Sequence, residues 1–268
     1  MTLKFLSIGS GSSGNCYFIG TDGYGILFDA GISVRAVRKA LKDNGIGIEQ
    51  IMAVFITHDH TDHVKSVGGL VEKCNIPVYA TELVHKGIDQ NRYVAEKLSA
   101  NSRRLIVKDA PTQIRDFAVT PFEIPHDSSD NVGYLIEFGA HKFVLATDAG
   151  HISETMINYI RMANHLIIEA NYDKDMLIAG KYPPFLKQRI MNGTGHLSNL
   201  ETAEFLAANF DSRLKNIWLC HLSKDNNNPE LAYKTVETAM AQSGICVGKD
   251  VSLTALQRME PSELYLFS

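Results

Sequence analysis

The sequence has no apolar run long enough to cross a membrane and no leader typical of a secreted protein. Its longest apolar stretches fall far short of the roughly 20 residues that a membrane helix needs. The first residues, "MTLKFLSIGSGSSGN", carry one lysine and a short strand-like run rather than a basic start, a long apolar stretch and a small-residue cleavage site. We therefore expect a cytoplasmic protein with no membrane association.

Paired cysteines and an excess of positive charge are also absent. The four cysteines, Cys16, Cys74, Cys220 and Cys246, are far apart and form no CxxC pair. The sequence thus indicates neither a thiolate zinc site nor a redox motif, and we expect buried free thiols. The formal net charge is −4, so any nucleic-acid binding would have to come from a local patch or from bound metal ions.

Short apolar segments bounded by Gly, Ser or Asp predict a strand-rich start, and strands and helices alternate later in the chain. Two helices have recognisable starts: Ser198 with Glu201 forms a capping box, and Asn228 stands before Pro229. Further helices are predicted for residues 34–45, 63–73 and 81–99. No linker, low-complexity tract or short repeat divides the chain. We therefore predict one domain over residues 1–268, with two sheets flanked by helices.

The segment "ITHDHTDH", residues 56–63, gathers three histidines and two aspartates directly after an apolar strand. Imidazole nitrogens and carboxylate oxygens are common ligands of zinc, manganese and iron. The four donors His58, His60, Asp62 and His63 exceed what one catalytic ion can use while it keeps an open position. The pattern therefore favours two ions, with further ligands from elsewhere in the chain.

Three later strands also end in a candidate ligand. "FEIPH" ends at His126, "FVLATD" at Asp148 and "IWLCH" at His221. Loops cluster at strand ends, so these side chains are expected to complete the site. The isolated histidines are interpreted as structural or surface residues: His85, His141 and His165.

Together these motifs resemble the metallo-β-lactamase superfamily. "THDHTDH" is similar to its HxHxDH signature, and "ILFDAG", "IPHDSSDNVGYLIE" and "LATDAG" resemble its other motifs, in the same order over nearly the whole chain. The resemblance implies an α+β fold, a four-layer αββα sandwich with a two-metal site.

The resemblance also implies a role for each donor. It assigns His58, His60 and His126 to one ion, Asp62, His63 and His221 to the other, and Asp148 to both. Asp29 would support the histidine loop, while Asp59 has no ligand position and is interpreted as loop-stabilising. The expected ions are zinc or manganese, with iron also open, and a hydroxide bridging two ions is expected to be the nucleophile.

The substrate has to be inferred from other residues, because this fold serves many reactions. "IIEANYD" and "GHLSNLETAEFLA" resemble motifs of the phosphodiesterase branch that includes ribonuclease Z. The resemblance implies a carboxylate–imidazole pair of Glu169 and His196, which we count with Asp62 as catalytic. His196 would donate a proton to the leaving oxygen or stabilise charge on phosphorus.

The spacing between the motifs limits which members of this branch the chain can resemble. Only 21 residues separate His126 from Asp148, which leaves no room for the tRNA-gripping arm of ribonuclease Z. Only 47 residues separate Asp148 from His196, which excludes the large inserted domain of the β-CASP nucleases.

The segments "SGSSGNCYFI", "EANYD", "GHLSN" and "CHLSKDNNNPELA" resemble the YycJ/WalJ-type group of small bacterial metallo-hydrolases. This resemblance implies an exonuclease that works from 5′ ends of duplex DNA, is supported by manganese and is linked to mismatch repair. DNA is then the expected substrate and a DNA-repair protein the expected partner, while the oligomeric state stays open.

Several alternatives remain open from the residues alone. The loop Gly9–Asn15 is either a phosphate-binding turn or a tight turn near the site. Basic and aromatic residues could meet DNA or simply be solvated: Arg103, Arg104, Lys181, Tyr182, Phe185, Lys187 and Arg189. The main rival function is a small-molecule phosphodiesterase acting on a cyclic or nucleotide phosphate. A third is a non-hydrolytic member that uses iron.

Overall fold

The structure of the protein is a computed structural model that describes residues 1–268. Its strands are β1 (Leu3–Gly9), β2 (Cys16–Gly20), β3 (Gly25–Phe28), β4 (Ile51–Phe55), β5 (Val78–Ala80), β6 (Arg103–Leu105), β7 (Thr112–Ile114), β8 (Phe117–Glu123), β9 (Val132–Phe138), β10 (His141–Ala146), β11 (His165–Glu169), β12 (Asn216–Cys220), β13 (Ser252–Ala255) and β14 (Tyr265–Phe267). Its α-helices are α1 (Val34–Asp43), α2 (Thr61–Val64), α3 (Val67–Val71), α4 (Glu82–Gln90), α5 (Glu154–Ile160), α6 (Lys174–Ala179), α7 (Pro184–Met191), α8 (Asn199–Asn209) and α9 (Pro229–Gln242).

The chain divides into two compact units. Unit 1 comprises residues 1–107, 128–131 and 257–268, and unit 2 comprises residues 108–127 and 132–256.

Unit 1 contains a seven-stranded sheet in the order β14-β1-β2-β3-β4-β5-β6. The pairs from β14 to β3 are antiparallel and the pairs from β3 to β6 are parallel. β2 and β3 are buried along their whole length, which explains why they read as continuous apolar runs rather than as alternating patterns. In the sequence, Val34, Val37 and Leu41 are at helical spacing. Helix α1 buries Val37 and Leu41, together with Ala40.

Unit 2 contains a seven-stranded sheet in the order β13-β12-β11-β10-β9-β8-β7. The pairs from β7 to β10 are antiparallel, and β10, β11, β12 and β13 are parallel. In the sequence, Gly139 and Ala140 stand between the strand-like segments "NVGYLIEF" and "KFVLATDAG", which predicts a hairpin turn. The structure has this turn between β9 and β10, and the φ of Gly139 is +56°. Because parallel neighbours run in one direction, their carboxyl ends meet at the same edge of the sheet.

Each unit has its own apolar core. The core of unit 1 includes Leu27, Val54 and Ile56, and that of unit 2 includes Leu166 and Leu219. Full burial of such a side chain stabilises the fold by roughly 1.5–3 kcal/mol. These cores fix the strands whose ends carry the polar residues of the site.

Both predicted helix starts are confirmed. At α8, the Ser198 hydroxyl accepts the Glu201 N–H at 3.2 Å, and the Glu201 carboxylate accepts the Ser198 N–H at 2.8 Å. At α9, the Asn228 side-chain oxygen accepts the Leu231 N–H at 2.8 Å. Each cap satisfies an N–H group that has no partner within its own helix.

The helix predicted over residues 81–99 is wrong beyond Gln90, where α4 ends. The Lys97 ammonium group donates to the Ile88 carbonyl at 3.0 Å and to the Asn91 carbonyl at 2.7 Å. The chain therefore folds back and uses a side chain to satisfy the carbonyl groups at the end of α4. The predicted helix 63–73 is also interrupted, since the Ser66 N–H donates to the Ala30 carbonyl at 3.0 Å.

Three expectations concern the chain as a whole. All four cysteines are free thiols, although only Cys16 and Cys220 are buried. None of the helices is both long enough and apolar enough to span a membrane. The single domain over residues 1–268 stays a prediction.

Candidate metal centre

Four predicted ligands lie in the loop after β4 of unit 1: His58, His60, Asp62 and His63. The ring centroid of His58 lies 4.7 Å from that of His60 and 4.1 Å from that of His63. His58 and His63 are fully buried, at 0% exposure. The end of β4 thus holds a compact group of imidazoles, which are common ligands of divalent ions.

A buried carboxylate orients this loop. Asp29, directly after β3, accepts a hydrogen bond from His63 Nδ1 at 2.7 Å and another from the Thr57 N–H at 2.8 Å. The Thr57 hydroxyl lies 3.1 and 3.0 Å from the two carboxylate oxygens of Asp29. These contacts agree with the supporting role predicted for Asp29. With Nδ1 bonded to Asp29, Nε2 is the nitrogen of His63 that carries the lone pair.

The loop Gly9–Asn15 is a tight turn against the histidine loop. The Gly11 N–H donates to the Asn15 side chain, the Gly14 N–H to the Gly11 carbonyl, and the Asn15 N–H to the Asp62 carbonyl, each at 2.8 Å. A Cβ on Gly14 would lie 2.2 Å from the Gly31 carbonyl oxygen. Because these N–H groups are engaged within the protein, the contacts favour the tight-turn interpretation over phosphate binding.

Asp59 connects the histidine loop to Ser129 and Asn91. Its carboxylate accepts the Ser129 N–H at 3.2 Å and the Ser129 hydroxyl at 2.5 Å. Its backbone carbonyl accepts the Asn91 side-chain amide at 3.0 Å. These contacts agree with the loop-stabilising interpretation.

Three site residues of unit 2 lie at the carboxyl ends of adjacent parallel strands. Asp148 lies just beyond β10, Glu169 ends β11 and His221 follows β12, and all three are buried. His221 Nε2 is 3.4 Å from Asp148 Oδ1, and His221 Nδ1 is 3.0 Å from Glu169 Oε1. The sheet topology alone therefore brings the carboxylate of Asp148 and the imidazole of His221 together.

Two further histidines reach the same sheet edge from loops. His126 Nδ1 donates to the Gly195 carbonyl at 2.9 Å, and its Nε2 lies 4.0 Å from Asp148 Oδ1. His196 Nδ1 lies 2.8 Å from Glu169 Oε1. Candidate ligand atoms of Asp148, Glu169, His196 and His221 all lie within 4.8 Å of one another. The carboxylate–imidazole contact of Glu169 and His196 is thus present in the structure.

Glu169 and His196 shift each other's protonation. Burial raises the pKa of the Glu169 carboxyl group, but His196 and His221 lower that pKa by more, so it lies below its usual value. Burial lowers the pKa of His196, but Glu169 and then Asp148 raise that pKa by more, so it lies above its usual value. The contact therefore favours a carboxylate on Glu169 and an imidazolium on His196.

The donor set fits divalent metal ions. The histidines His63, His126 and His221 each have Nδ1 bonded to an acceptor of their own unit, namely Asp29, Gly195 and Glu169. Such a bond fixes the tautomer in which Nε2 carries the lone pair, the usual state of a metal-binding imidazole. Asp148 adds a buried carboxylate, which suits zinc, manganese and iron alike.

Some residues that contact the proposed ligands were not among the residues predicted from the sequence. The Asn15 side-chain amide lies 3.0 Å from His63 Nε2, and the Asn171 amide donates to the His221 carbonyl at 2.8 Å. Both asparagines stand inside the segments "SGSSGNCYFI" and "EANYD", which carried the resemblance, so a signal was present. His151, whose Nδ1 is 2.7 Å from the Gly193 carbonyl oxygen, had no such signal.

Comparison with known proteins identifies the class. The chain belongs to the β-lactamase superfamily, because a family model described as "Beta-lactamase superfamily domain" matches residues 24–216. The fold resembles that of the metallo-β-lactamase fold protein YhfI from Bacillus subtilis, with a TM-score of 0.73 and 18% identity, over 100% of both chains. The predicted α+β, αββα fold class is confirmed.

Two relatives share about a third of the sequence. The chain is 32% identical to "Exodeoxyribonuclease YycJ" of Bacillus anthracis over 93% of both proteins. It is 34% identical to "Exodeoxyribonuclease WalJ" of Streptococcus pneumoniae, over 92% of this chain and 91% of that protein. The prediction of a metal-dependent hydrolase is confirmed by these relatives and by the superfamily.

Proposed function

We propose that this protein is a DNA exonuclease that hydrolyses phosphodiester bonds from 5′ ends with two divalent metal ions. The observation that carries this proposal is the similarity to two exodeoxyribonucleases, which extends over more than nine-tenths of each protein. The contact of Glu169 with His196 supports it, because departure of an alkoxide from phosphorus benefits from a nearby proton donor.

The proposed ligands are the donors described for each unit. In unit 1 they are His58, His60, Asp62 and His63, and in unit 2 they are His126, Asp148 and His221. His58, His60 and His126 are assigned to one ion, Asp62, His63 and His221 to the other, and Asp148 to both. When bound, zinc or manganese would activate water as the nucleophile and neutralise charge on the attacked phosphate. The buried bonds of Asp29 and Glu169 would hold the imidazoles in place.

His196 has the arrangement of a proton donor. Its Nδ1 is bonded to Glu169 Oε1 at 2.8 Å, which leaves Nε2 to hold a proton toward the leaving oxygen of the substrate. The side chain keeps 21% of its surface exposed, so a substrate group can approach it. Burial lowers the pKa of His196, but Glu169 and Asp148 raise that pKa by more, which favours the protonated form that a proton donor needs.

We further propose that the enzyme acts in the cytoplasm and serves mismatch repair, where a repair protein would deliver nicked or broken DNA. This part of the proposal rests on the sequence resemblance to the YycJ/WalJ-type group.

The proposal is tested by digestion of duplex DNA labelled at either its 5′ or its 3′ end. Purified protein with Mn²⁺ is expected to release mononucleotides from the 5′ end, and an Asp148→Ala variant is expected to release none, because it loses the shared ligand. Release from the 3′ end would contradict the polarity. Equal cleavage by the variant would contradict the metal assignment.

A small-molecule phosphodiesterase is the second candidate, and the positions of two basic residues favour it. Arg103 donates to both carboxylate oxygens of Asp89, at 2.7 and 2.6 Å, and Arg104 donates to the Asn101 and Arg103 carbonyls. These guanidinium groups are engaged within the protein rather than presented to a DNA backbone. Turnover of a cyclic nucleotide or a chromogenic phosphodiester, with no cleavage of DNA, would establish this function instead.

A further inference from the structure

Helix α7 is unusual among the longer helices because it has no buried residue. Phe185 in its first turn is 73% exposed, and Met191 at its end is 40% exposed. Exposed apolar side chains cost solvation free energy, and a cluster of them in a folded protein commonly marks a binding surface. The nearby Ile178 of α6 is also exposed, at 55%.

Polar contacts, rather than apolar burial, hold α7 beside the site residues of unit 2. Arg189 forms an ion pair with Asp127 at 2.5 Å, and Asp127 directly follows His126. The His196 N–H donates to the Ile190 carbonyl at 3.0 Å. The last turn of α7 is therefore bonded on one side to the neighbour of His126 and on the other to His196.

The charge of this segment is opposite to that of the whole chain. Residues 181–191, "KYPPFLKQRIM", contain three basic residues and no carboxylate, whereas the whole chain has a net charge of −4. Lys181 is exposed. Arg189 is paired with Asp127, and the Lys187 ammonium group donates to the Ile178 carbonyl at 2.6 Å. Lys181 is therefore the basic residue of this segment that is best placed to meet a phosphate.

Only one of the two aromatic residues considered for base stacking is available for that role. The Tyr182 hydroxyl donates to the Asp225 carboxylate at 2.9 Å, and its ring is partly covered. Phe185 presents most of its ring to solvent on a helix that is fixed by its polar contacts. An exposed aromatic ring next to basic residues is the combination that binds unpaired nucleotides.

We propose that α7 binds the unpaired nucleotides at a DNA end, with Phe185 stacking on a base and Lys181 facing the phosphates. This inference rests on the proposed exonuclease function and identifies the preferred substrate as an end with a single-stranded overhang or a frayed terminus. Ile190, whose carbonyl accepts the His196 N–H, lies five residues after Phe185, or roughly 7.5 Å along the helix. A nucleotide stacked on Phe185 would therefore lie about one nucleotide's length from the proton donor.

The test compares Phe185→Ala and Phe185→Trp with the unaltered enzyme on DNA with a short 5′ overhang. Loss of one base–aromatic stack is expected to raise KM roughly 5- to 150-fold with a smaller change in kcat, and Trp is expected to restore KM. A 2-aminopurine base in the overhang reports stacking directly. Its fluorescence should be quenched on binding to the unaltered enzyme and less so with Phe185→Ala.

Leu200→Ala is the matched control, because Leu200 is an exposed apolar residue, at 52%, on the neighbouring helix α8. It should keep the KM and the quenching of the unaltered enzyme. If the unaltered enzyme cleaves DNA and Phe185→Ala keeps its KM, the inference about α7 is wrong and the exonuclease function stands. If the unaltered enzyme neither binds nor cleaves DNA, both are wrong.

Discussion

Three site residues adopt a backbone conformation that is uncommon for residues other than glycine. Asp29, Asp148 and His221 have φ angles of +62°, +56° and +54°. Each left-handed residue of this kind costs on the order of 1–3 kcal/mol. All three lie where a strand ends, and the turn of the backbone sets the direction in which each side chain leaves the sheet. These three make up half of the non-glycine residues with positive φ. The other three, Asn75, Asp109 and Arg115, lie outside the proposed site.

The His196→Ala variant is expected to lower kcat by ~10²-fold or more, because it removes the proton donor. It should keep its metal content, since His196 belongs to the contact with Glu169 rather than to the proposed ligands. Metal analysis and steady-state kinetics measure the two effects separately. Full metal occupancy with an unchanged rate would remove His196 from the mechanism.

Glu169→Gln provides a contrast with His196→Ala. Its carboxylate also lies 3.0 Å from His221 Nδ1, so the variant should weaken metal binding as well as slow turnover. Loss of such a supporting bond typically lowers metal affinity by roughly 10- to 100-fold.

Gly150→Ala tests how closely the loop before His196 is packed. A Cβ at position 150 would lie 2.3 Å from Thr194 Cα and 2.4 Å from the Gly193 carbonyl oxygen. Because both contacts are with backbone, the loop has to shift. We expect a kcat loss of up to ~10²-fold from displacement of His196, and about 1–3 kcal/mol of lost stability.

Gly23→Ala is the matched control for that variant, since no atom lies within 4 Å of the Cβ it would add. It should retain both kcat and stability. A Gly150→Ala enzyme with normal kcat would show that the loop can move without displacing His196.

At the scale of helices and strands, the cap of α9 gives a prediction that is independent of activity. Asn228→Ala removes the acceptor of the Leu231 N–H and is expected to cost about 1 kcal/mol. For a protein of this size Tm should fall by about 2–4 °C. Thermal unfolding measures the effect, and Asn228→Ser should restore most of the stability. An unchanged Tm would mean that water replaces the cap without cost.

The sequence predicted those elements whose signals are local, and it failed where distant residues decide. The capping box at Ser198 and the hairpin turn at Gly139 depend on neighbouring residues, so both were predictable. The end of α4 depends on Lys97 folding back onto it, and α7 is held by Arg189 through Asp127. Neither contact leaves a periodic signal in the sequence.

The same difference applies to the site. The sequence pointed to the proposed ligands because each one ends or follows an apolar strand, but it did not point to the contacts that orient them. Thr57 is an example, because its hydroxyl bonds to the Asp29 carboxylate across 28 positions of the chain. No spacing rule connects such residues, since the order of the strands in the sheet brings them together.

At the scale of the whole molecule, the two sheets share one plan. Each has an antiparallel half and a parallel half. In each unit the proposed ligands lie mainly at the carboxyl ends of parallel strands, after β4 in unit 1 and after β10 and β12 in unit 2. The chemistry thus occupies one kind of position in both sheets. The opposite ends of the parallel strands carry none of the proposed ligands.

His165, at the start of β11, shows how that opposite end responds to pH. The residue is 4% exposed, stacks on Phe143 and accepts the Asn216 side-chain amide at 2.9 Å. Burial, together with His141 close by, lowers the pKa of His165 to about 3. The folded protein therefore binds this proton less readily than the unfolded chain does. The contribution of His165 to stability is fully present above the usual pKa of about 6.5 and is lost as pH falls from there toward about 3.

Between pH 7.5 and pH 5 this histidine alone should cost about 2 kcal/mol of the free energy of unfolding. Chemical denaturation measures the free energy of unfolding across that pH range. Its loss between pH 7.5 and pH 5 should be smaller by about 2 kcal/mol in His165→Gln. Asn228→Ala is the matched control, because it destabilises the protein without removing a titratable group, so its curve should run parallel to that of the unaltered protein. If the His165→Gln curve also ran parallel, the acid sensitivity would have to come from other groups. His165, which the sequence predicted to be structural, would then have a structural role without making stability depend on pH.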